Sequence, residues 1–376
     1  MKKGWEIKKL GEVCDRGSSN VSQNQLSNND GIYSIFGASG LIKNVSFYHQ
    51  NKPYLSIVKD GSGVGRITKM EAYTSIIGTL QYLLPKANVD LNYLFYSLIS
   101  IDFKKYVAGA AIPHIYFKDY KEEPFLWMPL SEQQRIVIIL NNAFEKIDTL
   151  KTNAKKNLQN VKELFESFLQ NEFKNKLSGS KSEELDSLCE LIVDCEHNTA
   201  PTQESGYPSI RTPNIGKGEL ILESVNRVSL ETYTKWTRRA IPQAGDLILA
   251  REAPAGNIAV IPENIEVCLG QRTVLIRPKK DKFVSKYLAH LILSKDVQKH
   301  LLSNSRGATV EHVNMKDIRA FKIYNLIPCD EQQTIVEHLD ALSAHCKRLE
   351  ANYQKTLALC EEMKKAVLGK AFRGEL

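Results

Sequence analysis

Forty-nine residues of this chain occur twice, 199 positions apart and without a gap, which constrains the fold more than any other feature. One copy begins Pro129-Leu130-Ser131-Glu132-Gln133-Gln134-Arg135-Ile136-Val137 and runs to Leu177; the other begins Pro328-Cys329-Asp330-Glu331-Gln332-Gln333-Thr334-Ile335-Val336 and runs to Leu376. Fifteen of the 49 positions are identical. Each copy follows a longer stretch of different character, so the chain reads as two modules, each trailed by the same element.

That element reads as a long helix over 131–175 and again over 330–373. Pro precedes a capping residue, Ser131 or Asp330, and Gln134 or Gln333 follows three positions later, the pattern of a capping box. An alternating spacing of four and three then runs through Ile136, Leu140, Ala143, Ile147, Leu150, Ala154, Asn157, Val161, Leu164 and Phe168. The second copy keeps the phase through Ile335, Leu339, Leu342, Cys346, Leu349, Tyr353, Thr356, Cys360, Met363 and Val367. A mean spacing near 3.5 residues marks a coiled-coil seam. A stripe of this kind needs a partner, and the other copy supplies one; chain order favours an antiparallel pair.

The modules repeat more loosely. Leu10-Gly11-Glu12-Val13-Cys14 resembles Leu185-Asp186-Ser187-Leu188-Cys189. Residues 93–100 resemble 287–294, a helix by pattern, and 109–119 resemble 307–317, with His114 and His312 in register. The offset climbs from 175 through 194 and 198 to 199, so insertions sit in the module fronts. Short apolar runs at 54–58, 80–84, 246–250 and 273–276 read as strands. A polar loop containing glycine follows the first run of each module, at 59–66 and 251–257, and 174–184 reads as a linker.

Composition excludes some classes. No apolar run approaches the roughly 18–20 residues that span a bilayer, and the N-terminus lacks a signal-peptide core, so the chain reads as cytoplasmic. Seven cysteines show no CxxC pairing, which argues for reduced, mostly buried thiols and against a metal site. The net charge of +7 divides as +4 for 1–128, +2 for 129–178, +2 for 179–327 and −1 for 328–376, a balance that tolerates nucleic acid without requiring it.

The doubled Pro-x-x-Glu-Gln-Gln-x-Ile motif, each after a variable module, resembles the specificity subunit of type I restriction–modification enzymes, and the opening Trp5-x-x-x-x-Leu10-Gly11-Glu12 is similar as well. The resemblance covers essentially the whole chain. It implies an α+β protein in which two globular α/β target-recognition domains are separated by two long repeated helices, paired as an antiparallel coiled coil with a pseudo-twofold. The domains would be 1–128 and 179–327, and the helices, 129–178 and 328–376, would act as spacer and docking surface. It implies a non-catalytic reader of a bipartite, asymmetric target in double-stranded DNA. Two methyltransferase subunits would bind it and, in the full assembly, two motor-nuclease restriction subunits. S-adenosylmethionine, ATP and magnesium would belong to those partners. The residues agree: there is no Asn/Asp-Pro-Pro-aromatic tetrad and no GxxxxGK[ST] loop. Gly61-Ser62-Gly63-Val64-Gly65 precedes a strand-like run rather than the helix a nucleotide loop needs.

Candidate DNA contacts are Lys59, Ser62, Arg66 and Lys69 in the first module, and Arg211, Lys217, Arg238, Arg239, Arg251, Arg272 and Arg306 in the second. Arginine suits bidentate contact with guanine, lysine suits phosphate, and a solvated surface cation is the bland alternative for each. His114 and His312 read as structural or phosphate-touching, and Lys118-Asp119 and Lys316-Asp317 as salt-bridged turns. Glu132, Gln133, Glu331 and Gln332 near the helix starts are candidates for methyltransferase contact. The seam is expected to hold Ile136, Leu140, Ile147, Leu150, Val161, Phe168, Ile335, Leu339, Leu342, Leu349, Cys360 and Val367. Rival readings are a methyltransferase-only or type II bipartite system, a scaffold with duplicated protein-binding heads, and a duplicated hydrolase or transferase.

Overall fold

A computed structural model of the chain describes residues 4–109, 111–174, 178–303 and 312–376. The chain divides into two compact units, one of residues 1–156 with 353–376, the other of 157–352. Each unit thus holds one module, the start of the long helix that follows it, and the end of the other long helix. The helices run Leu130–Glu172 and Cys329–Phe372, 43 and 44 residues, roughly 65 Å of helix each.

Both begin one residue earlier than the capping pattern predicts. Glu132 N and Gln133 N donate to Pro129 O, and Gln332 N donates to Pro328 O, so Ser131 and Asp330 lie inside the first turn. The first glutamine of each pair, not the second, carries the tertiary contact.

The two modules share a frame. In the first, a four-stranded antiparallel sheet runs Cys14–Ser18, Leu80–Pro85, Tyr54–Val58, Ile67–Met70; in the second, Cys189–Asp194, Thr273–Pro278, Leu247–Ala250, Ile258–Val260 take the same order, with Gly218–Glu219 added at the edge. A three-stranded sheet sits beside each, built round a parallel pair, Ile35 opposite Ser75 and Ser209 opposite Cys268. A two-stranded ribbon closes each module, Glu6–Lys9 with Pro124–Trp127 and Ser182–Glu184 with Lys322–Tyr324. The end of the expected linker is therefore strand.

The central strands are apolar without alternation because both faces are covered. Leu55 and Ile57 join the core that holds the module's helices, whereas Tyr54 and Val58 join a second core under the three-stranded sheet. Leu247 and Leu249 separate from Ile248 and Ala250 in the same way. The Gly-rich loop at 59–66 is a hairpin connection into strand Ile67–Met70: Val58 N donates to Arg66 O and Gly65 N to Val58 O, both at 2.9 Å. Gly65 has φ +86, and a Cβ there would lie 2.6 Å from Phe103 Cβ, so only glycine fits.

Within the first unit the helix segments run antiparallel. Asp148 pairs with Lys364 and Lys151 with Glu361, so positions rise on one helix as they fall on the other. Phe372 packs on Tyr93 of the module helix Leu91–Ile99, with ring centroids 5.4 Å apart. The second unit repeats this contact: Phe173 lies 5.2 Å from Tyr287 of the helix Ser285–Leu293.

The seam is narrower than its 4–3 spacing predicts. Gln133, Leu140, Ile147, Ala154 and Val161 form one buried column at intervals of seven, and Gln332, Leu339, Cys346 and Cys360 form its counterpart, with half-buried Tyr353 at the position between the last two. Ile136 is buried too, while Phe168, Ile335, Leu342, Leu349 and Val367 are half-buried. Leu150 is a correction, at 48% exposed, and Leu164 and Met363 are open as well. All seven cysteines are free thiols, six buried and Cys329 half-buried. Among the described residues no helix is long and apolar enough to cross a membrane.

Candidate nucleic-acid interface

The sequence candidates gather around one end of each central sheet. In the first module, strand Tyr54–Val58 ends at Lys59, whose carbonyl accepts from Ile115 N at 2.9 Å. Gly61 N donates to Pro113 O at 2.8 Å, and Ala108 bonds His114 in both directions, so the segment around His114 braces the 59–66 loop through backbone. Lys59 lies 3.6 Å from Asp60, a loose surface pair. Ser62 and Arg66 are exposed, and Arg66 donates to Ala38 O. Lys69 lies beyond the loop, where its ammonium donates to Asn92 Oδ1 at 2.6 Å and sits 4.5 Å above the Phe95 ring, held against the module helix. Partial burial there lowers its pKa.

In the second module, strand Leu247–Ala250 ends at Arg251, whose carbonyl accepts from Val313 N at 2.9 Å. Arg251 and Lys59 therefore occupy one position in the shared frame, and Val313 with Ile115 another. Arg251 is nevertheless not free to read a base. Its Nη1 donates to Asp194 Oδ2 at 2.7 Å, its Nε to Val313 O at 2.9 Å, and its Nη2 lies 3.0 Å from His312 Nε2. Its side chain is 12% exposed. Because a guanidinium only donates, His312 Nε2 accepts and the ring proton sits on Nδ1, 3.3 Å from Glu252 Oε1. Glu252 in turn pairs with Arg272 Nε at 2.8 Å. The chain Asp194–Arg251–His312–Glu252–Arg272 is a brace, and Arg251 is its centre.

The remaining cations lie round this brace. Arg272 is exposed and takes a left-handed backbone, φ +67. Arg239 donates to Cys195 O at 3.0 Å, and Arg238 bonds Glu196 at 3.0 Å. Arg211 is exposed beside Gly270, where a Cβ would meet its Cγ at 2.4 Å, and its guanidinium makes no bond to the described residues. Gln271 donates to His197 O at 2.8 Å. Lys217 stands apart, 3.9 Å from Glu166 of the first long helix. Arg306 lies outside the described residues, as do 307–311 of the repeated segment. Lys118-Asp119 and Lys316-Asp317 sit in the short helices Phe117–Tyr120 and Met315–Arg319 and form no ion pair with each other, correcting the salt-bridged turn.

At the helix starts the correction is sharper. Gln133 and Gln332 are 0% exposed and cannot face a partner. Glu132, bonded to Arg135 at 3.0 Å, and Glu331 remain at the surface. Sequence reasoning missed Asp194, Glu252 and Gln271, since Arg251 and Asp194 are 57 positions apart and nothing local signals their pairing.

The helix pair of the first unit has two unlike flanks. At about 100° per residue from buried Ile147 and Cys360, the residues Asp148, Lys151, Glu361 and Lys364 fall to one side, where they pair. Leu150, Leu359 and Met363 fall to the other, at 48%, 45% and 45% exposed. In the second unit the repeat places Leu349 and Leu164 at the positions of Leu150 and Met363, with Asn160 for Leu359.

Residues 2–160 and 178–359 match the family described as type I restriction modification DNA specificity domain. The specificity subunit of the type I restriction enzyme EcoBI from Escherichia coli is 24% identical over 295 residues, covering 72% of this chain and 62% of that protein's length. The chain thus spans less than two thirds of that curated relative. The fold resembles that of a chain from a study of complex assembly and conformational transition in a type I R-M system, with TM-score 0.73 and 18% identity over 100% of this chain and 99% of that one. It also resembles the HsdS subunit from Thermoanaerobacter tengcongensis, with TM-score 0.62 and 18% identity over 100% of this chain and 98% of that one.

Proposed function

Because the chain belongs to the family of type I restriction modification DNA specificity domains, we propose that it is the DNA-reading subunit of such a system. It binds double-stranded DNA at a split, asymmetric target, residues 1–128 reading one half and 180–327 the other. It performs no chemistry itself; methyltransferase and restriction subunits bring S-adenosylmethionine, ATP and magnesium, and the assembly works in the cytoplasm. The observation that carries this reading is the shared backbone frame whose equivalent sheet ends carry different side chains: Lys59, Ser62 and Arg66 in one, Arg211, Arg238, Arg239 and Arg272 in the other. One frame with two surfaces suits two different short sequences. Exposed guanidiniums beside the second sheet end suit phosphate and guanine edges.

Partner docking falls on the helix flanks rather than at Gln133 and Gln332, which are buried. The open apolar flank at Leu150, Leu359 and Met363 has a smaller counterpart at exposed Leu164 and half-buried Leu349, with Asn160 in place of Leu359, and two such related flanks suit two methyltransferase subunits. The test is methyl transfer to DNA by the methyltransferase subunit with and without this chain. Site-specific methylation is expected only with both present, and exchange of residues 180–327 with those of a relative should alter one half of the target. Methyl transfer by this chain alone, or a change in both halves together, overturns the reading.

A further inference from the structure

The first glutamine of each Glu-Gln-Gln motif makes the same three hydrogen bonds in both units. Gln133 Oε1 accepts from Asp90 N at 2.9 Å, and its Nε2 donates to Asn88 O at 2.9 Å and Met128 O at 2.8 Å. Gln332 Oε1 accepts from Val284 N at 2.9 Å, and its Nε2 donates to Lys282 O at 2.8 Å and Ile327 O at 2.9 Å. Both are 0% exposed. In each case the amide joins the start of the long helix to the backbone just before the module helix, Leu91–Ile99 or Ser285–Leu293.

Every partner atom is backbone, so the lock is indifferent to side chains that differ between modules. The other contacts at these junctions include Ile136 and Leu140 in the first unit and Val336 and Leu339 in the second, packed into apolar cores. Apolar burial has little directional preference and permits one surface to slide on another. Three bonds to one planar amide fix direction as well as distance.

We infer that Gln133 and Gln332 are positioning residues for DNA reading: each fixes the angle at which a module is mounted on its long helix, and so the gap the two half-sites must have. The inference rests on the functional reading above. It separates two properties that module loops alone would not separate, which bases each half prefers and how strictly the gap between halves is read.

The experiment uses the full chain with its methyltransferase subunit. A random-sequence duplex pool selects the target of the unaltered protein; binding is then measured to that target and to duplexes with the gap one base pair longer or shorter. The unaltered protein is expected to lose about tenfold in affinity for a one-base-pair change. Gln133→Met and Gln332→Met should each keep the base preferences of both halves while the gap penalty falls to about threefold or less. Leu140→Ala, which weakens the same junction without touching the amide, should keep the full penalty. Gln133→Asn, too short to reach both backbone segments, serves if Gln133→Met does not fold, and should relax the gap in the same way. An unchanged gap penalty in the glutamine variants, or equal relaxation in Leu140→Ala, overturns the inference alone. An unaltered protein with no split target overturns the functional reading and the inference together.

Discussion

Lys59 and Arg251 stand at the same point of the same frame and do different work. Lys59 makes one loose surface pair, whereas Arg251 is held by a carboxylate, a carbonyl and an imidazole and braces the loops around it. A second pair of equivalent positions repeats the lesson. Asp246 and Arg277 in the second module form a two-bond ion pair at 2.7 Å, and Asp246 is 3% exposed. Tyr54 and Leu84 take those places in the first, where Tyr54 packs 5.0 Å from Tyr82 and hydrogen-bonds Thr74. The backbone repeats, while the means of holding it together changes from aromatic packing to buried charge.

That difference gives the largest expected effect. Asp246→Ala strands the Arg277 charge in a largely buried place, which costs about 3–5 kcal/mol. Tyr54→Phe removes one hydroxyl and its bond, about 1 kcal/mol. Denaturant unfolding of the two variants measures both. Equal losses would mean that the second module does not depend on its ion pair.

Next in size is the effect at Arg251 and Lys59. Arg251→Met should cost about 2–3 kcal/mol, because Asp194 and His312 lose their partner together. Lys59→Met should cost less than about 1 kcal/mol, as an exposed pair does. With Arg251 a brace, its loss blurs preference at several bases of one half-site. Preference relaxed at a single base, with stability unchanged, would make Arg251 a reader after all.

These residues also mark how far the sequence could be read. The long helices, the central strands and the module helices are local patterns, and each declares itself within a dozen residues. The cations of the candidate interface declare only their charge. Whether one is free or bound depends on groups far along the chain, as Asp194 is for Arg251 and Asn92 for Lys69. Gln133 and Gln332 were visible as a repeated motif, but a polar residue on a helix reads as surface until the backbone atoms around it are known. Leu150 fits its heptad as well as Ile147 does, yet its column is buried only at Ile136 near the helix start and is open at Leu150.

A smaller effect separates the units by pH. Burial lowers the pKa of His49 in the first unit and of His290 in the second below the ordinary 6.5. The unfolded chain then takes up these protons before the folded one does. The stability contribution is therefore complete above about pH 6.5 and is lost as pH falls through and below it. His290 packs more deeply, so the second unit should lose more on acidification. Melting curves between about pH 8 and pH 5, with His290→Gln flattening the dependence, measure this. A melting temperature that rises towards pH 5 reverses the sign.

The smallest effect on stability should accompany a large effect on assembly. Met363 in the first unit and Leu164 in the second occupy equivalent places on the open flank of the helix pair, and both are about half exposed. Replacing either with aspartate removes little buried area, so stability should stay within about 0.5 kcal/mol. Leu140→Ala, in the buried column, should cost about 2–5 kcal/mol. If the flank receives a methyltransferase subunit in each unit, a charge placed in one flank must be desolvated on binding, and one subunit is lost while the other stays. The mass of the assembly in solution should then fall by one methyltransferase for Met363→Asp, by one for Leu164→Asp, and by two for the double variant. Retention of both subunits in the double variant would place docking elsewhere, on the exposed Glu132 and Glu331 at the helix starts. Loss of both subunits from either single change would mean that the two flanks do not act independently.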